Sequence, residues 1–195
     1  MVTANPQAIA FLSNRRSRPA KLFAGAVPNR QALRAIITTA LRVPDHGKLE
    51  PWRLVVLDRA AMLRLADLAE AVAVETGGDA QRIAKGRGQF DLGHLAVVVI
   101  ASPKGEAKPR AEQLASASAL CMNLLNAAEA SGWGANWLTG WVAYDAGFAA
   151  RAFGCTEGET IAGIVHIGTP PADGPDRPRP DIDRVTIWPE ETPTA

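Results

Sequence analysis

Cysteine is scarce in this chain: its 195 residues contain only Cys121 and Cys155. The two are far apart in sequence and lack the close spacing of a redox pair or a zinc knuckle. We therefore expect two reduced thiols and a cytoplasmic protein, since cytosolic thiols are kept reduced. The chain also begins without the basic segment and apolar stretch of a secretory signal.

Histidine is also scarce, with residues at positions 46, 94 and 166 only. None has a closely spaced cysteine or carboxylate partner of the kind that a metal site uses, so we expect no bound metal. We interpret His166, which lies within an apolar stretch, as a core residue whose ring nitrogens have their hydrogen-bond partners. Cys121 falls in the middle of a helical pattern and no Gly-x-Ser-x-Gly motif occurs, so no catalytic nucleophile is predicted.

An excess of charge of one sign and a long apolar run are also missing. Twenty-one basic residues against twenty acidic ones leave a net charge of +1, which gives no electrostatic reason to expect nucleic acid or an acidic membrane as a partner. The longest apolar run, residues 95–101, is far shorter than the roughly 20 residues of a membrane-spanning helix. Any anion that this protein binds must therefore be held by a local group of cations.

Strand and helix patterns alternate along the chain without an internal repeat, as expected for one domain of this length. Residues 95–102 are continuously apolar, which indicates a strand covered on both faces. Helices are predicted at residues 6–14, 31–42, 59–75, 79–89, 109–131 and 144–153. Strands are predicted at residues 52–57, 95–102, 135–138 and 160–167.

The composition changes near the C-terminus, where six of the fourteen prolines fall between Pro170 and Pro189. We predict a domain at residues 1–175 and a proline-rich arm at residues 176–195. Residues 185–188 are apolar enough to form a short strand that docks on a sheet edge, including that of a second subunit. A disordered tail is the alternative.

Two polar segments carry the candidate binding chemistry. Arg15, Arg16 and Ser17 place two guanidinium groups and a hydroxyl together at a predicted helix end, and guanidinium binds phosphate through paired hydrogen bonds. A solvated basic helix end is the alternative interpretation of these three residues. The loop at residues 42–53 adds Arg42 and His46, and its two prolines limit the entropy lost on binding. Together the segments predict an anionic ligand.

Standard nucleotide motifs are incomplete. Gly47-Lys48 lacks the upstream glycine of a Walker loop, and neither Gly86-Arg87-Gly88 nor Gly132-Trp133-Gly134 completes a dinucleotide fingerprint. If the protein is an enzyme, a cofactor must supply the chemistry.

Four motifs in order along the chain resemble the flavin-dependent nitroreductase family, and most of all its minimal, YdjA-like members. They are Arg15-Arg16-Ser17, the loop from Arg42 to Trp52, the stretch from Gly132 to Gly140, and Ile167-Gly168-Thr169-Pro170. The resemblance covers residues 9 to 188. It implies an α+β, three-layer α-β-α nitroreductase fold with a central mixed or antiparallel sheet, and a homodimer that exchanges a C-terminal strand between its subunits.

The resemblance also assigns residues to an FMN site at the subunit interface. Arg15, Arg16 and Ser17 would contact the flavin of one subunit, and Arg42 and His46 the flavin of the other. Trp137, Leu138 and Thr139 would complete the pocket near the ring. A stretch assigned to the nicotinamide nucleotide matches Ala127, Ala128, Glu129, Ala130, Ser131 and Gly132, which also fits an ordinary helix end.

The implied activity is hydride transfer from NAD(P)H through FMN to a nitroaromatic, a quinone or a similar electron-poor acceptor, in a ping-pong sequence. A protein that stores or senses FMN without turnover is the alternative. Two departures bear on this choice: Leu138 stands where close relatives have arginine, and Gly47 stands where they have lysine. Both leave the acceptor and the choice between NADH and NADPH open.

Overall fold

A computed structural model describes residues 3–106, 108–171 and 177–189 of the chain. The helices are α1 (Pro6–Asn14), α2 (Arg30–Ala40), α3 (Arg59–Glu75), α4 (Ala80–Arg87), α5 (Arg110–Ala130), α6 (Ala146–Phe153) and α7 (Ile182–Val185). The strands are β1 (Trp52–Leu57), β2 (Ala96–Ala101), β3 (Gly134–Leu138) and β4 (Thr160–Gly168). The six helices and four strands predicted before the arm are confirmed, with end positions that differ by at most two residues.

Most helices begin at a side chain that caps them. An Asn or Asp accepts a hydrogen bond from a backbone N–H in the first turn, which satisfies one of the donors that a helix start leaves unpaired. These caps are Asn5, Asn29, Asp58, Asp79 and Asp145. Because such a cap is local in sequence, the helix starts could be predicted well.

The four strands form one sheet in the order β1-β2-β4-β3, and every neighbouring pair is antiparallel. Side chains of the central strand β2 alternate between the two faces, as the pleat requires. Val97 and Val99 join the core on the face covered by α2 and α5, whereas Val98 and Ile100 join the core on the face covered by α3 and α6. The fold is therefore a three-layer α-β-α arrangement, as predicted.

The arm differs from the sequence prediction. Residues 182–185 form a single helical turn, and residues 186–189 have no regular structure. A strand needs a neighbouring strand for its backbone N–H and C=O groups, and this segment pairs with none in the described part of the chain. The domain boundary near residue 175 and the exchange of a strand between subunits stay predictions.

No helix in the described ranges has the length and apolar character needed to cross a membrane.

An ion pair ties the first strand to the start of the fourth. The Arg53 Nε and Nη2 atoms donate to the two carboxylate oxygens of Glu159 at 2.8 and 2.9 Å, and the backbone N–H of Thr156 donates to the same carboxylate. The bond from Arg53 lowers the pKa of the Glu159 carboxyl to about 2, although burial acts in the opposite direction. Glu159 thus favours folding in its ionised form.

We predict that Glu159→Gln lowers the free energy of unfolding at pH 7 by about 1–3 kcal/mol, because the variant loses charge-assisted hydrogen bonds. The folded pKa of Glu159 is lowered, so its contribution is present above the unfolded carboxyl's ordinary pKa of about 4.5 and is lost as pH falls towards 2. Urea titrations at pH 7 and pH 3 would measure the difference between the two proteins.

Glu75→Gln is the matched control, because Glu75 pairs with Arg151 and both side chains are about half exposed. Such a surface pair contributes less than about 1 kcal/mol. Equal effects of the two substitutions at pH 7, or an undiminished Glu159 effect at pH 3, would contradict the prediction.

Candidate functional site

The arginine motif lies where α1 ends against the sheet. Arg15 has an extended backbone and donates its N–H to the Phe11 carbonyl, which closes the helix. Three residues further on, the Arg18 N–H donates to the Ala135 carbonyl of β3 at 3.3 Å. Because β3 is an edge strand of the sheet, residues 15–18 run beside an edge that has few other partners.

A cavity of about 930 Å³ opens beside this segment, within the 300–1,000 Å³ that small-molecule sites occupy. Its described lining contains no carboxylate but five arginines: Arg15, Arg16, Arg18, Arg177 and Arg179. Leucines and Trp137 give it an apolar wall. The buried Oδ1 atom of Asn136, another lining residue, has no hydrogen-bond partner among the described residues. The cavity therefore combines a cationic end and an apolar wall with a lining residue whose buried acceptor has no partner in the described part of the chain.

Arg15 is held from behind by Glu129 of α5. Its Nε atom lies 2.7 Å from Glu129 Oε2, and the side chains are only 16% and 9% exposed. The Nη2 atom of Arg15 donates to Ser17 Oγ at 3.2 Å. Burial raises the pKa of the Glu129 carboxyl, while Arg15 and Arg18 act in the opposite direction.

Trp137 forms a wall of the cavity because β4 has a glycine beside it. The indole Nε1 donates to the Ala162 carbonyl at 3.2 Å. A Cβ on Gly163 would lie 2.0 Å from that nitrogen and 2.9 Å from the Cys121 sulfur, so only glycine leaves room for the indole. Burial raises the pKa of Cys121 to about 12, and its thiol therefore lacks the ionised form that a nucleophile requires.

Thr139 contributes to a different cavity. It lines a smaller space of about 470 Å³ together with Tyr144 and Glu159, and Trp137 borders both cavities. The predicted trio 137–139 is thus divided: Trp137 and Leu138 line the larger cavity, and Thr139 does not.

The loop at residues 42–53 holds an unusual backbone conformation. Both carboxylate oxygens of Asp45 accept backbone N–H groups, from Leu49 at 3.0 Å and from Glu50 at 2.8 Å. Three residues of the loop have positive φ angles: 84° at Gly47, 54° at Lys48 and 47° at Glu50. Residues other than glycine rarely adopt this left-handed region. Glycine at position 47 therefore suits the turn, and strain of this kind is frequent at binding sites.

Side chains of helix α5 also hold the 42–53 loop in place. His46 Nδ1 lies 2.6 Å from Glu112 Oε2, and Asn123 Nδ2 donates to the Arg42 carbonyl at 3.2 Å. The Ser116 hydroxyl donates to the Pro44 carbonyl. The loop is therefore anchored along one side of α5, with His46 and Arg42 exposed.

Of the residues predicted for the cofactor, the structure brings together Arg15, Arg16, Ser17, Trp137 and Leu138 around the larger cavity. Arg42 and His46 line neither cavity of their own chain. Their assignment to the flavin of a second subunit stays a prediction.

The stretch assigned to the nucleotide is the end of α5. Ala127 and Ala128 are buried in the core, and the Ser131 hydroxyl donates to the Ala127 carbonyl at 2.7 Å. Gly132 follows with a φ of 85°, as a helix end favours. Ala130, Ser131 and Gly132 are exposed, and none of residues 127–132 lines the larger cavity. The nucleotide assignment rests on the resemblance alone.

Sequence reasoning missed several contributors to the site. Arg18 directly follows the arginine motif and could have been included by charge alone. Arg179 lines the cavity from the arm and donates to the Ser13 carbonyl, and no local pattern indicates that contact. Within the described ranges, no group of three or more His, Cys, Asp or Glu residues could hold a metal ion.

Solved structures first define the class of fold. The nitroreductase-like family protein from Bacillus cereus superposes with a TM-score of 0.78 at 24% identity, over 98% of this chain and 100% of that one. The FMN-dependent nitroreductase from Clostridium difficile R20291 gives a TM-score of 0.68 at 19% identity, over 94% and 99% of the two chains. The chain has the nitroreductase fold.

The family follows from the sequence comparisons. Residues 12–169 match the nitroreductase family model. YdjA of Escherichia coli (strain K12), which is named as an NAD(P)H nitroreductase, is 33% identical over 164 residues, 84% of this chain and 88% of YdjA. A Haemophilus influenzae protein with the same NAD(P)H nitroreductase description is 34% identical over 169 residues, 83% of this chain and 88% of that protein. This chain belongs to the nitroreductase family, and the resemblance to YdjA-like members is confirmed.

We predict that Gly163→Ala displaces the Trp137 indole, because the new methyl group would occupy its position. Overpacking of this kind costs about 1–3 kcal/mol. The thermal unfolding midpoint should fall and the tryptophan emission should shift. Gly147→Ala is the control, since the nearest atom to its Cβ is 3.3 Å away. A Gly163→Ala protein with the midpoint and emission of wild type would contradict the prediction.

Proposed function

We propose that this protein is an FMN oxidoreductase that transfers electrons from NAD(P)H to a nitroaromatic, a quinone or a similar electron-poor acceptor. The observation that carries the proposal is the cavity of about 930 Å³ with five arginines and no carboxylate in its described lining. The NAD(P)H nitroreductase names of the two relatives support the choice of reductant.

The cationic end of the cavity suits the phosphate of FMN. Guanidinium groups bind phosphate through paired, charge-assisted hydrogen bonds, and Arg15, Arg16 and Arg18 follow one another along this end. Ser17 adds a hydroxyl between them. A dianionic phosphate there would meet the positive charge of these arginines, which Glu129 behind Arg15 offsets in part, and no carboxylate of the described lining.

The remaining walls suit a flat, amphipathic ring. Trp137 and Leu138 supply apolar surface, and Asn136 Oδ1, which has no partner among the described residues, could accept a hydrogen bond from a ring N–H group. When bound, FMN would supply the two-electron redox chemistry that amino-acid side chains do not readily provide. The protein's part is to orient the ring, to exclude water and to stabilise negative charge through its arginines.

We further propose that the site is completed in a homodimer. His46 bonds to Glu112, which precedes Glu129 by 17 residues on α5. At 1.5 Å per residue, the two carboxylates lie roughly 25 Å apart along the helix, so His46 is remote from the arginine end of its own cavity. The exposed apolar residues Ile187 and Trp188 of the arm, 98% and 66% accessible, also favour a partner surface.

We predict that the FMN-loaded protein sediments as a dimer and that His46→Ala retains less FMN after gel filtration, although His46 lines neither cavity of its own chain. The reason is that the contact would come from the partner subunit. His94→Ala, which also lies outside both cavity linings, is the control and should retain flavin as wild type does. A monomer that holds FMN at full occupancy would refute the dimeric site.

A protein that binds FMN without turnover is the second candidate. Leu138 favours it, because this lining residue adds apolar surface where a cation could have stabilised the reduced ring. The two candidates differ in whether a nicotinamide nucleotide can reach the ligand.

We predict that NADH or NADPH bleaches the flavin absorbance of the FMN-loaded protein, at roughly 450 nm, within seconds under anaerobic conditions. The rate of bleaching should be near the roughly 1–10³ s⁻¹ that is common to enzymes. Addition of a quinone should then restore the colour. Bound flavin that neither nucleotide reduces would support the binding protein, and a purified protein that takes up no FMN would exclude both candidates.

A further inference from the structure

Glu129 is a buried carboxylate with only half of its hydrogen-bonding capacity in use. Its Oε2 atom pairs with Arg15 Nε at 2.7 Å, and its Oε1 atom is buried without a partner in the described part of the chain. The side chain is 9% exposed and does not line the larger cavity. It therefore acts on any ligand there only through Arg15.

Stability alone does not explain this pair. Burial raises the pKa of the Glu129 carboxyl in spite of the two nearby arginines, which means that ionisation is less favourable at this position than in water. Replacement of a buried ion pair by apolar side chains is often neutral or even stabilising. A carboxylate in such a place is better explained by what it does to its partner.

The contact through Nε fixes the orientation of the whole guanidinium group, because that group is planar and rigid. The Nη2 atom of Arg15 then donates to Ser17 Oγ at 3.2 Å. Since Ser17 Oγ accepts this bond, its own hydroxyl hydrogen is available for a second acceptor. Ser17 and Arg15 both line the cavity, so that acceptor can be a ligand oxygen.

We propose that Glu129 is a positioning residue for the phosphate end of the cavity. It holds the Arg15 guanidinium, and through Arg15 the Ser17 hydroxyl, in the orientation that binds a phosphate group. The inference rests on the proposed function for the identity of the ligand, but inorganic phosphate tests the same geometry without FMN.

Simple electrostatics and positioning predict opposite signs for the loss of this carboxylate. If only charge mattered, removal of a negative group beside Arg15 and Arg18 would tighten the binding of an anion. If Glu129 positions Arg15, its removal lets the guanidinium rotate away and weakens binding. The sign of the change therefore separates the two explanations.

The test is isothermal titration of inorganic phosphate into the apoprotein and of FMN into the same samples. We expect Glu129→Ala to raise the Kd for both ligands about tenfold, equivalent to ~1.4 kcal/mol. Glu129→Gln keeps an acceptor for Arg15 Nε and should fall between Glu129→Ala and wild type. Glu75→Ala removes a carboxylate that pairs with Arg151 at the surface and should leave both values unchanged.

A double-mutant cycle with Arg15→Ala tests whether the effect of Glu129 on phosphate binding acts through Arg15. In that background Glu129→Ala should change the Kd for phosphate by less than twofold, because the group it positions is gone. Unchanged or tighter binding by a folded Glu129 variant would overturn the inference, as would a full effect in the Arg15→Ala background. If Glu129→Ala does not fold, Glu129→Gln provides the same comparison.

Binding of the two ligands to the wild-type protein distinguishes a failure of the proposed function from a failure of this inference. A wild-type protein that binds inorganic phosphate but not FMN would contradict the flavin proposal and leave Glu129 to be judged on phosphate. A wild-type protein that binds neither ligand has no phosphate end to position and would overturn the inference itself.

Discussion

The packing of α5 against the sheet is the constraint on which the rest of the structure depends. Ala117, Leu120 and Leu124 are fully buried where the helix meets β2, β3 and β4. Once this face is fixed, the helical repeat fixes where every other side chain of α5 points. Near its start Glu112 then bonds to His46 of the 42–53 loop, and near its end Glu129 bonds to Arg15. One helix thus sets both polar segments that the sequence singled out.

The two ends of α5 hold their partner side chains, His46 and Arg15, with different rigidity. The His46–Glu112 pair is about half exposed, so water competes with it and it contributes little to stability. The Arg15–Glu129 pair is almost fully covered, and rearranging it would leave a buried charge without a partner. The arginine end of the cavity is therefore preorganised, whereas the 42–53 loop, which lines neither cavity of its own chain, can adjust. A ligand would therefore lose little entropy on binding at the arginine end.

Most of the fold could be predicted because its determinants are local. Apolar periodicity indicated the helices, and the uninterrupted apolar run at 95–102 identified the central strand. The site was predicted less completely, since its key contacts join distant parts of the chain: 114 positions separate Arg15 from Glu129, and 66 separate His46 from Glu112. No spacing rule links such residues before the packing of α5 is known. From the sequence, Gly47 was interpreted as a departure that removes a lysine from the site. Its positive φ shows that glycine suits the turn at this position.

The arm connects the cavity to two largely exposed apolar side chains, Ile187 and Trp188. Arg179 lines the cavity and donates to the Ser13 carbonyl, and a few residues later Ile187 and Trp188 are largely exposed. Burying side chains of this size is worth about 1.5–3 kcal/mol each, which gives a second copy of the chain a reason to cover them. Because the covered residues would lie only eight positions beyond a cavity-lining arginine, association of this kind would also act on the rim of the cavity. Dimerisation and ligand binding would then be coupled through the arm, in addition to any contact made by the 42–53 loop.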